Sequence, residues 1–130
     1  MRCLPSGHRP LSLVFVISAA AGLGAGCAKA GMGAEVRSDI SARMASAENP
    51  IAACYAAAVQ RNRKLRGLMT LSIVAEPKTG KFTGVVVDRD QVGDTGLRQC
   101  VVDEVSKLAL AKPQTTRVQF QYPIDFQPVK

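Results

Sequence analysis

The chain reads as a small α+β domain whose elements follow in the order helix, strand, strand, helix, strand. Three observations predict this. Ile51, Cys54, Tyr55, Ala58 and Val59 fall at i, i+3, i+4, i+7 and i+8, an apolar stripe along one helix. Met69, Leu71, Ile73 and Ala75 alternate with Thr70, Ser72 and Val74, the period-two pattern of a half-buried strand. Val118, Phe120, Tyr122, Ile124 and Phe126 repeat that alternation against Gln119, Gln121 and Asp125. The expected fold is a three-stranded antiparallel sheet with two helices packed on one face.

Ahead of this pattern lies an export leader. Arg2 and Arg9 supply a positive start, and residues 11–21 form an apolar core of signal-peptide length. The apolar stretch of residues 11–26 falls short of the ~20 residues a membrane-spanning helix requires. Leu23-Gly24-Ala25-Gly26-Cys27 resembles the bacterial lipobox, in which small residues precede a lipidated cysteine. Residues 1–26 are therefore expected to be a lipoprotein-type signal peptide, Cys27 the lipidation site, 27–35 a tether and 36–130 the domain. The competing reading is cleavage after Ala28-Lys29-Ala30, which discards Cys27. Both deliver the chain to the periplasm or the outer membrane.

Without Arg2 and Arg9, the 17 basic residues become 15 against 10 acidic ones, a net charge of +5. That suits anionic envelope material. The one histidine, His8, lies in the leader, so the mature chain has no imidazole for a Ser-His-Asp or Cys-His nucleophile or a His-bearing zinc site. No metal, cofactor or small-molecule substrate is expected. Nucleic acid is not an expected partner either, because export removes it and no aromatics are interleaved with the basic residues.

Val36, Ile40, Met44 and Ala47 suggest a first amphipathic segment, and Asn49-Pro50 reads as an N-cap followed by a proline at the first helical position. The two helical segments are alternatively one longer helix adjusted at Pro50. Residues 61–67, Arg-Asn-Arg-Lys-Leu-Arg-Gly, end the helix and turn the chain. After the first strand, residues 76–81 carry Pro77 and Gly80 in turn positions, so Phe82 to Asp88 forms a Val-rich hairpin partner. Asp94 is placed to cap a helix whose buried face carries Leu97, Cys100, Val101, Val105 and Leu108, ending by Pro113. Pro123 lacks an N–H and assigns the last strand to an edge.

Once the leader is removed and Cys27 has its lipid, Cys54 and Cys100 are the remaining cysteines, one on the apolar face of each helix. In an oxidising compartment they are expected to form a disulfide, the alternative being two buried thiols. Arg61, Arg63, Lys64 and Arg66 form a basic turn that suits either solvent or an anionic surface. Asp88, Asp90 and Asp94 lack calcium-loop spacing, and the neighbouring Asp103 and Glu104 diverge on their helix, which makes them a poor acid–base pair.

Ile51-x-x-Cys54-Tyr55, Leu65-x-Gly67 opening a strand, Gly80 before a Val-rich strand, Cys100, and Tyr122-Pro123-x-x-Phe126 together resemble the AgmX/PglI C-terminal domain, a TonB-C-like family of myxobacterial type. The resemblance spans about Val36 to Pro128. It implies a TonB-C-like fold and an envelope interaction module that takes up a partner segment at its sheet edge, here Arg117, Val118, Gln119, Phe120, Gln121 and Tyr122. The expectation is a non-enzymatic, lipid-anchored protein that binds an envelope protein or peptide. Two alternatives stay open: a secreted carboxylate-dependent enzyme acting on cell-wall glycans, and a structural envelope protein resting its basic turn on an anionic surface.

Overall fold

The helical stretch that opens the domain is two helices, α1 (Ala34–Ser46) and α2 (Glu48–Arg61). A computed structural model describes residues 32–128; Cys27, the leader and most of the expected tether lie outside the described residues. The break falls at Ala47, whose N–H bonds the Met44 carbonyl at 3.0 Å in a tightened turn. Pro50 explains the position. It has no N–H for the Ser46 carbonyl, and its ring would collide with that carbonyl in a continuous helix. Ala47, not Asn49, is the N-cap of α2, and no side chain caps that end. The expected Asn49 cap is thus corrected: Pro50 sits in the third helical position, where its missing N–H still costs nothing.

The sheet consists of β1 (Gly67–Ala75), β2 (Phe82–Asp90) and β3 (Val118–Phe126) in the order β2-β1-β3, antiparallel throughout. Helix α3 (Thr95–Ser106) connects β2 to β3. Met69, Leu71 and Ile73 of the central strand are completely buried, as are Leu97, Val101 and Val105 of α3. Phe82 and Phe120 meet edge to face across the sheet with ring centroids 5.5 Å apart, a favoured aromatic geometry. Helix α3 stops at Ser106, seven residues before Pro113. The chain then runs along the hairpin: the Leu108 carbonyl accepts from Phe82 N–H at 3.0 Å and the Gly80 carbonyl from Leu110 N–H at 2.9 Å. Gly80 has φ +69°, and an added Cβ would lie 3.0 Å from the Leu110 Cβ. Only glycine lets the two backbones approach so closely.

The two outer strands differ in regularity. β3 pairs with β1 over nine consecutive residues without a shift, from Gly67↔Phe126 to Ala75↔Val118. β2 loses register twice, between Thr70 and Leu71 and between Ser72 and Val74. Gly84, at φ +57°, sits in the second irregularity, where a left-handed residue accommodates a bulge.

Cys54 and Cys100 form the expected disulfide, joining α2 to α3 with Cα atoms 5.8 Å apart. On the chain-entropy account, closing a 46-residue separation stabilises the domain by about 4 kcal/mol. Reduction is therefore expected to lower the unfolding free energy by most of that amount, as measured by urea titration with and without reductant. An unchanged urea midpoint would mean that helix packing alone fixes α2 against α3.

Candidate functional site

β3 is an edge strand, and its main-chain groups alternate in direction. Pro123 sits opposite Thr70 within an unbroken ladder, and a proline fits there when its nitrogen faces away from β1. Residues two apart share that direction. Gln119, Gln121 and Asp125 accordingly turn their N–H and C=O groups outward, and Pro123 turns out a carbonyl alone. These four side chains are exposed on the sheet face opposite the helices. Gln121 reaches across β1, its Nε2 donating to Asp88 Oδ2 at 3.1 Å.

The helix-facing row of β3 is unevenly covered. Val118, Phe120 and Phe126 are buried, while Tyr122 and Ile124 between them are half-buried. Beside them runs a groove of about 420 Å³, walled by Met44, Glu48, Ile51 and Tyr55 on one side and by residues 122–127 on the other. Tyr55 is held rigidly: its hydroxyl donates to the Leu65 carbonyl at 2.6 Å and its ring lies 5.1 Å from that of Phe126. A second depression of about 530 Å³ shares Ala52 and Tyr55 and continues along α2 to Arg63. The sequence-predicted edge, Arg117 to Tyr122, thus covers the first half of β3, whereas the uncovered apolar surface lies over Tyr122 and Ile124. Periodicity assigns Ile51 and Tyr55 to the core stripe. Their position at the margin of that stripe is the only sequence signal that they also line a groove.

The basic turn divides. Arg61 bonds Asp94 at 2.7 Å, while Arg63, Lys64 and Arg66 are exposed and, among the described residues, form no ion pair. The acids after β2 act within the fold. Asp94 caps α3, accepting from Leu97 N–H at 2.6 Å. Asp90 accepts from Val92 and Gly93 N–H at 2.9 and 3.0 Å and from two Arg98 nitrogens at 3.1 and 2.8 Å. Burial alone would raise the Asp90 carboxyl, but the bonds from Gly93, Arg98 and Val92 outweigh it and hold it below its ordinary value. The Leu97 N–H, assisted by Arg61, does the same for Asp94 against a smaller burial effect. Asp103 accepts from Gln99 and Glu104 from Lys107, so the two point to separate neighbours. Among the described residues no cluster of three or more His, Cys, Asp or Glu is arranged to hold a metal, and no helix is long and apolar enough to cross a membrane.

Comparison with family models, curated proteins and solved structures returns no match to this chain.

Both carboxyls have folded values below the unfolded one, so each stabilises the domain fully above the ordinary aspartate range near pH 4. That contribution disappears as pH falls through the depressed values. Asp94→Ala is expected to cost about 1 kcal/mol at neutral pH, as loss of an N-cap does. Asp90→Asn and Asp94→Asn should each flatten the acid limb of a stability–pH curve measured from pH 7 to 2. Variants that keep the wild-type acid slope would show that other groups drive acid unfolding.

Proposed function

We propose that this protein is a non-catalytic envelope lipoprotein that binds an extended segment of a protein partner by strand addition along β3. The observation that carries this reading is the pairing of a straight, unbulged edge with half-covered Tyr122 and Ile124 beside an apolar groove. A strand hydrogen-bonded to Gln119, Gln121 and Asp125 would place alternate side chains over Tyr122 and Ile124, against Ile51 and Tyr55. Main-chain bonds then supply affinity and the groove supplies selectivity for alternating apolar residues. The opposite edge is a poor rival, since two irregularities in β2 break the row of groups a partner would have to match. The resemblance to the TonB-C-like AgmX/PglI domain supports the same mode, and the lipobox-like Cys27 supports anchoring in the envelope.

Gln121→Pro removes an outward donor and leaves the ladder to β1 intact, so it is expected to abolish partner capture from envelope extracts while preserving the thermal transition. Ile124→Lys, which puts a charge in the groove without touching the backbone, should weaken capture at least tenfold. A folded pair of variants that captures the same partner at wild-type levels would refute strand addition and make Arg63, Lys64 and Arg66 the better contact.

Acylation of Cys27 predicts that the protein partitions into detergent and labels with a palmitate analogue. Cys27→Ala is expected to move it to the soluble fraction, because anchoring by two or more acyl chains is far stronger than any surface contact. Unchanged partitioning would favour cleavage after Ala30.

A further inference from the structure

A second group of cations gathers at the end of the domain where α1 begins. Lys78 and Lys81 lie in the β1–β2 hairpin loop, and Lys112 and Arg117 in the crossover from α3 to β3; all four are exposed and in no ion pair among the described residues. Backbone contacts bind these segments into one surface. Lys78 N–H donates to the Gln114 carbonyl at 2.8 Å, Lys81 bridges to Ala109, and Val118, next to Arg117, pairs with the last residue of β1. The start of α1 belongs to the same end: Asp39 accepts from the Ala111 and Lys112 N–H groups at 3.1 and 2.8 Å, and Ala34 and Lys112 line one depression.

The acids at this end include Glu35, Asp39, Glu76 and Glu104. Three of them are engaged within the fold, Asp39 as above, Glu76 by the Thr83 hydroxyl at 2.6 Å and Glu104 by Lys107 at 2.8 Å. The surface is left with a net positive charge.

We infer that this hairpin end, through Lys78, Lys81, Lys112 and Arg117, rests on anionic phospholipid headgroups of the membrane that anchors Cys27, and that the α2–β1 turn points away from that membrane. The inference rests on the acylation proposed above. Six residue steps separate Cys27 from Gly33, a reach of roughly 20 Å when fully extended. β1 alone spans roughly 26 Å between the hairpin end and the α2–β1 turn. The tether is therefore too short to seat the turn on the membrane with the hairpin end lifted away. It holds the four cations within reach of the headgroups. The orientation also leaves Arg63, Lys64 and Arg66 and the adjoining end of the groove facing the aqueous compartment, where a partner can enter.

Lysine reactivity reads this directly, with Lys64 as an internal reference at the far end. The mature acylated protein is reconstituted in phosphatidylethanolamine vesicles containing either phosphatidylglycerol or phosphatidylcholine, labelled with an amine reagent and mapped by peptide mass spectrometry. Each cation at an anionic surface gains about fivefold in occupancy. Lys78, Lys81 and Lys112 should therefore label about fivefold more slowly on phosphatidylglycerol than on phosphatidylcholine, with Lys64 unchanged. The protection should vanish near 1 M salt, where the screening length is about 3 Å. An acylated, vesicle-bound protein with Lys64 protected instead, or with no dependence on headgroup charge, overturns the orientation alone. A chain whose intact mass lacks acyl groups overturns the anchoring and the orientation together.

Discussion

The tie between Cys54 of α2 and Cys100 of α3 is the constraint on which the rest of this domain depends. A domain of about one hundred residues buries a modest core, and here that core joins the buried row of β1 to residues from all three helices and both outer strands. α3 is held on the sheet by the fully buried Leu97, Val101 and Val105. α2 buries smaller side chains, Ile51, Cys54 and Ala58, which contribute less apolar area. The covalent link transfers the firm seating of α3 to α2. That matters beyond stability, because α2 is one wall of the groove beside β3, and a wall that drifted would leave Tyr122 and Ile124 without a defined neighbour.

A three-stranded sheet necessarily has two edges, and each edge presents unpaired main-chain groups. This protein treats them differently. β2 carries two irregularities, a left-handed Gly84, and the charged pair Asp88 and Arg89, all of which discourage pairing with another chain. β3 carries one blunting device, Pro123, which withdraws a single donor yet leaves its carbonyl available. The asymmetry is what gives the β3 edge its standing as the candidate site. A symmetric pair of regular edges would point to neither.

Electrostatics in the domain is mostly local. Asp90 and Asp94 organise the turn into α3 by accepting backbone N–H groups, and Arg98 and Arg61 complete those arrangements. Both arginines are about half exposed, so the ion pairs themselves add little. The greater part of the effect lies in satisfied backbone donors at the start of a helix. The cations outside such pairs are therefore the ones free to meet an external anion, and the fold separates them into two groups at opposite ends of the sheet.

Class, element order and core were legible in the sequence, because each is written in contacts between residues two to four apart. The apolar stripe at Ile51 to Val59, the alternation at Met69 to Ala75, the Asp94 cap and the Cys54–Cys100 pairing all read correctly from local pattern and cysteine arithmetic. The break at Ala47 was recoverable in kind but not in place, since a proline acts on the carbonyl four residues before it and not at its own position. The end of α3 at Ser106 was misread because the Leu108 and Leu110 main chain pairs with the hairpin instead of continuing the helix. The groove was not legible at all. It joins Ile51 and Tyr55 to Tyr122 and Ile124, about seventy residues apart, and the same half-apolar side chains would be ordinary core if another element covered them. Which edge is straight, which is bulged, and which lysines share an end with the start of α1 depend on register and chain path. Only the tertiary structure decides those, because they arise from pairings that no local periodicity encodes.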